Sequence, residues 1–126
     1  MKLSRIAIIL THALVGWALC DATMMIGRSV TSVDNALIIH AIAAPVFFAV
    51  ISLVYFRKFN YTSPLRTALI FTAFIITVDF FFVAMLINHS FAMFASLLGT
   101  WIPFALIFIS TYLTGTLVRR PGMKLA

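Results

Sequence analysis

The sequence predicts an all-α integral membrane protein: a four-transmembrane-helix bundle with antiparallel neighbours and both termini in the cytoplasm. Three observations carry this. Of the 126 residues, 63% are hydrophobic and only 10% are charged, against about 25% charged in an ordinary soluble domain. Mean hydropathy is +1.14, and the apolar residues gather into runs longer than about 18 residues, the length needed to cross a hydrocarbon core of about 30 Å. The basic residues are also segregated: Lys2, Arg5, Arg57, Lys58, Arg66, Arg119, Arg120 and Lys124 fall before the first run, between the second and third, or after the fourth, and only Arg28 falls on the other side. Lys and Arg mark cytoplasmic loops. The net charge of +6 is therefore read as topology, and no nucleic-acid partner is expected. This composition excludes a cytosolic enzyme, a disordered tail and a disulfide-built secreted domain. The expected location is the cytoplasmic membrane of a bacterium or archaeon.

The whole chain, 1–126, reads as one domain of four spans. The first covers about residues 6–26. Lys2 and Arg5 before it imitate the charged region of a secretory signal, but Ala18-Leu19-Cys20 is a poor cleavage or lipidation site, so the span is expected to be retained. Gly27 is its expected C-terminal cap. Thr31, Ser32, Asp34 and Asn35 then form a polar cluster, with Asp34 as the expected cap of the second span, about 36–56. Pro45 lies inside that span, frees the Ala41 carbonyl and is expected to bend it. Ser63-Pro64 supplies an N-cap followed by a proline at the first helical position, opening the third span at about 65–87. The short Asn88-His89-Ser90 turn implies an antiparallel hairpin to the last span, about 91–118. Twenty-eight residues there would extend about 42 Å, so that span is expected to tilt, protrude or kink at Pro103.

Motifs for known chemistry are absent: there is no phosphate-binding glycine loop, no HExxH zinc pair, no Gly-x-Ser-x-Gly elbow and no lysine within a span. The single Cys20 excludes an intrachain disulfide and any CxxC site. No cofactor and no metal site are expected. The three histidines could suggest haem, yet His12 and His40 differ in height by about 15 Å and His89 is in a turn.

The remaining candidates are polar groups inside the spans, which are costly there and mark functional sites by default. Asp79 leads. It lies eleven residues past Ala68, about 16 Å along the helix, with no Lys or Arg at its height, so a neutral acid is its expected resting form. Thr72 shares its face. On the last span Ser96, Thr100, Pro103, Ile107, Ser110 and Thr114 recur at spacings of four and three, a hydroxyl stripe that would line a polar seam if it faced Asp79; ordinary close packing of small residues is the competing explanation. On the first span His12 and Asp21 project to opposite sides. Asp21 and His40 have matching heights near the outer end and are expected to pair. Trp17 and Trp101 read as packing residues.

These residues favour a small transport or permeation protein with an intramembrane carboxylate site for a proton, an ion or a small solute. Four helices enclose little volume, so a homodimer or larger assembly is expected to complete the site. Two other classes stay open: a membrane-embedded enzyme acting on a lipid-soluble substrate with Asp79 as acid or base, and a non-catalytic subunit of a membrane complex.

Overall fold

The computed structural model describes residues 3–87, 92–95 and 100–118. Every regular element among them is helical. Helix α1 spans Leu3–Val30, α2 Val33–Lys58, α3 Pro64–Val78 and α4 Ile102–Val118. A π-helical segment, Asp79–Ile87, continues α3, and Ala92–Ala95 form a short 3-10 turn. Three stretches are long and apolar enough to cross a membrane, Leu3–Val30, Val33–Lys58 and Pro64–Leu86, while Ile102–Val118 is a shorter apolar helix. Helix α1 packs on α2 and α3, and α4 packs on the same two. Large apolar side chains such as Ile42, Val46, Val50 and Leu69 are exposed on the outer faces. In water that surface would be a liability; against acyl chains it is the ordinary solvent-facing side.

The helix starts follow from local chemistry. Ser32, rather than Asp34, is the N-cap of α2: its side chain accepts the amide proton of Asn35 at 3.1 Å. Asp34 sits in the first turn, where a carboxylate is favoured by the positive end of the helix dipole. Ser63 caps α3 in the same way, accepting from the Arg66 amide at 3.2 Å, and Pro64 occupies the first turn, where its missing N–H costs nothing. Between α2 and α3 the chain reverses through Asn60, whose φ of 50° is left-handed, a conformation asparagine tolerates better than most residues.

Two sequence expectations are corrected. Gly27 does not end α1, which runs to Val30. Its role is close approach, because a Cβ there would stand 2.9 Å from the Ala36 Cβ. The third span is not a uniform α-helix, since the π-helical segment replaces its last nine residues. In the last span Thr100 and Trp101 are π-helical, and α4 begins at Ile102 with Pro103 in its first turn, where the missing N–H of proline is least costly. Residues 96–99 of that span lie outside the described residues. Phe91 and the Asn88-His89-Ser90 turn lie outside the described residues.

The α1–α2 seam is the best-defined packing. Buried residues on α1 are Ile9, Ala13, Gly16, Cys20 and Gly27, and on α2 include Ala41, Ala44, Phe48, Ile51 and Tyr55. Both series step by four and three, the spacing of helices that pair with a left-handed crossing. Small residues dominate the α1 side because lipid supplies no hydrophobic drive, so close van der Waals contact must hold the helices together. Phe48 fills the notch at Gly16, and any Cβ there would overlap its ring. Gly115 of α4 is similarly closed in, with Phe56 and Pro64 each 2.8 Å from a Cβ position.

Gly16→Ala should therefore cost about 1–3 kcal/mol of stability, the usual penalty of overpacking, and Phe48→Leu should recover part of it in the double variant. Thermal unfolding in detergent measures both, and additive losses would show that the ring and the notch are not coupled.

Candidate functional site

Asp79 stands at the junction where α3 passes into the π-helix. Its amide is shared between the Ile75 and Ile76 carbonyls, and the wider π-helical turns begin at this residue. Counted from Pro64 it falls past the middle of the 23-residue apolar stretch, toward the end away from the basic loop. π-Helical turns are rare and often occur where a side chain must be re-aimed for function. Here the side chain meets α1: the Trp17 indole Nε1 donates to Asp79 Oδ1 at 2.9 Å. Trp17 lies fourteen residues into α1 and Asp79 fifteen into α3, about 21 and 22 Å from the start of each helix, so the two arrive at one height. The Phe82 ring closes the other side of the indole, edge to face at 5.5 Å.

Trp17 was read from sequence as packing. It is the partner of the most prominent candidate. No sequence signal named it, although an aromatic with a single N–H needs an acceptor when it enters a membrane interior. Cys20 is buried on the same helix, and Asp21 follows Trp17 by one turn.

The expected Asp21–His40 pairing is not formed. No hydrogen bond or ion pair joins them, and His40 Nδ1 is buried without a hydrogen-bond partner. Arg28 stands two turns beyond Asp21 in the same helix. Matching heights did not suffice, because pairing also requires that the two faces turn toward each other.

The hydroxyl stripe of α4 divides. Ser110 Oγ donates to the Pro45 carbonyl of α2 at 2.6 Å, so this hydroxyl ties α4 to α2 at the proline instead of facing Asp79. Thr100 is buried, and Thr114 is partly buried. Thr111, absent from the predicted stripe, is fully buried, and its Oγ1 makes no hydrogen bond; Thr72 Oγ1 on α3 and Ser52 Oγ on α2 are in the same condition. Ser96 lies outside the described residues.

His12 belongs elsewhere. Its Nδ1 donates to the Ile8 carbonyl at 2.7 Å, and its ring packs edge-on against Tyr55 and Phe59, with centroids 5.5 and 5.3 Å away. Tyr55 in turn anchors a buried hydroxyl chain. Its Oη is 2.7 Å from Thr62 Oγ1, which meets Thr67 Oγ1, and Thr67 donates to the Ser63 carbonyl at 2.8 Å. Arg5 lies over the Tyr61 ring at 4.9 Å, a cation–π contact that fastens the start of α1 to the α2–α3 connection. This end of the molecule is a structural clamp, separate from the Asp79 cluster.

Among the described residues no three His, Cys, Asp or Glu side chains are grouped so as to hold a metal ion; His89 lies outside them. Comparisons with protein-family models, with curated proteins and with solved structures found no match. The functional reading therefore rests on geometry alone.

Trp17→Phe should cost on the order of 1 kcal/mol, the scale of an interhelical hydrogen bond in a membrane. In an Asp79→Asn background the same change should cost a similar amount, because the amide oxygen also accepts. Against Asp79→Ala it should cost much less. A double-variant cycle by thermal unfolding gives the coupling, and none between positions 17 and 79 would mean that the bond contributes nothing.

Proposed function

We propose that the protein is a small membrane transport protein whose Asp79 carboxyl exchanges a proton during passage of an ion or small solute. One observation carries the reading: Asp79 is held across a helix interface by a partner that can only donate. An indole N–H keeps its proton at every physiological pH. It can bond to either the neutral acid or the carboxylate, so the helices stay docked while the proton comes and goes. Among the described residues only one carboxyl oxygen of Asp79 is engaged. The junction with a π-helix and the unbonded hydroxyls of Thr72 and Thr111 add polar groups in the same apolar bundle.

In this reading Ile102–Val118 forms a fourth crossing, both termini are cytoplasmic, and the eight basic residues at that side hold the orientation. A homodimer or larger assembly completes the route, because the four helices pack closely around Phe48, Tyr55, Phe56 and Phe71 and leave a narrow interior. The non-catalytic subunit is the second reading, favoured by the Trp17–Asp79 and Ser110–Pro45 bonds, either of which can serve as interhelical glue. The enzyme reading has no specific observation in its favour.

Flux in proteoliposomes separates the two leading readings. Asp79→Asn keeps the size and the acceptor for Trp17 but cannot release a proton, so proton-linked flux should fall at least tenfold with thermal stability nearly unchanged. Equal flux at equal stability would assign Asp79 to glue and favour the subunit.

Orientation is tested independently. On a Cys20-free background, a cysteine introduced at Lys124 should resist a membrane-impermeant thiol reagent in sealed cells and react after lysis. Labelling in sealed cells would place the C-terminus outside.

A further inference from the structure

The basic end of the molecule carries a second feature, independent of the Asp79 reading. Between the first turns of α1 and α3 lies an open groove of about 370 Å³, walled by Ile6, Ile9, Leu10 and Ile70, with Arg66 as its one charged lining residue. That volume is near the lower end of the range for small-molecule clefts, about 300–1,000 Å³. The backbone beneath Arg66 is fixed, since its amide belongs to the Ser63 cap. Among the described residues its exposed side chain has no carboxylate within ion-pair distance. The guanidinium of Arg5 is engaged by Tyr61, which leaves Arg66 as the cation that lines this groove without a described protein partner.

No acidic side chain among the described residues supplies one. The protein has three acidic residues: Asp34 is at the start of α2, at the opposite end, and Asp21 and Asp79 lie more than about 20 Å along their helices. Arg57 and Lys58 end α2 on this side and add further positive charge. The groove is therefore apolar along its length, cationic at its mouth and free of negative charge.

We infer that it binds one anionic glycerophospholipid, with the headgroup phosphate on Arg66 and an acyl chain along Ile6, Leu10 and Ile70. A soluble anion would use the guanidinium and leave the apolar wall unused. A lipid uses both, and it approaches along the exposed apolar surface that Ile6 and Leu69 continue on either side. Acyl chains gain little by leaving other acyl chains for an apolar wall, since the surroundings are equally apolar. Selectivity must therefore come from headgroup charge, where each basic residue near the surface contributes on the order of 1 kcal/mol.

Native mass spectrometry of the full chain, released from detergent after incubation with equal amounts of phosphatidylglycerol and phosphatidylcholine bearing identical chains, tests this. The wild type should retain phosphatidylglycerol preferentially. Arg66→Gln, a change on an exposed side chain that leaves the cap intact, should reduce that preference about fivefold. Ile70→Trp should obstruct the groove and lower retention of both lipids; circular dichroism verifies its fold, and if it does not fold the Arg66 variant decides alone. Arg57→Gln, at the same end but outside the groove, should retain the wild-type preference. The inference is overturned by a wild type without preference, by an Arg66→Gln protein that keeps it, by a folded Ile70→Trp protein with undiminished retention, or by an equal loss in Arg57→Gln, which would indicate a diffuse surface field. None of these outcomes bears on Asp79, whose reading is tested by flux.

Discussion

The close approach of α1 to α2 sets the rest of the arrangement. Gly16 leaves the space that the Phe48 ring occupies, and with Ala13 and Cys20 it fixes both the depth and the rotation of α1 against its neighbour. A helix turns about 100° per residue. Once Gly16 and Cys20 face α2, Trp17 and Asp21, each one residue further on, must face the flank where α3 lies. The indole reaches Asp79 because a glycine beside it determined which way the helix is turned. In a membrane this dependence is strong, because no hydrophobic drive between helices compensates for a poorly fitted seam.

The two ends of the molecule manage their polar groups differently. At the basic end Tyr55, Thr62 and Thr67 are fully buried and satisfy one another, and aromatic rings from His12 to Phe71 pack around the hydroxyls. A closed network of that kind in an apolar medium is rigid and specific, since every member loses its partner if one moves. Elsewhere the bonding is less complete. His40 Nδ1 and the hydroxyls of Ser52, Thr72 and Thr111 make no hydrogen bonds, with Ser52 less than one turn before Tyr55 itself. These unbonded groups are spread along the bundle, and what sets the Asp79 end apart is that α3 gives up its regular pitch there.

Local features were legible in the sequence because they are decided within a few residues. Ser63-Pro64 announces a helix start by its own chemistry, and the apolar runs announce their length. What required the structure were relations between helices. Asp21 and His40 stood at matching heights, but height is one coordinate and facing is another, and nothing in a single sequence states which faces meet. Trp17 was hidden for the same reason, its acceptor being sixty-two residues away. The π-helix at Asp79–Ile87 left no composition signal, since its residues would suit an α-helix equally well.

The choice of tryptophan as the partner of Asp79 limits what the site can do. A lysine or histidine there would titrate together with the carboxyl, and the pair would exchange its charge internally. An indole does neither; it offers one fixed donor, so the protons gained or lost by this contact are those of Asp79 alone. The α1–α3 contact thus keeps one donor and one acceptor whichever form the acid takes, and the pairing of the two helices does not depend on where that proton is.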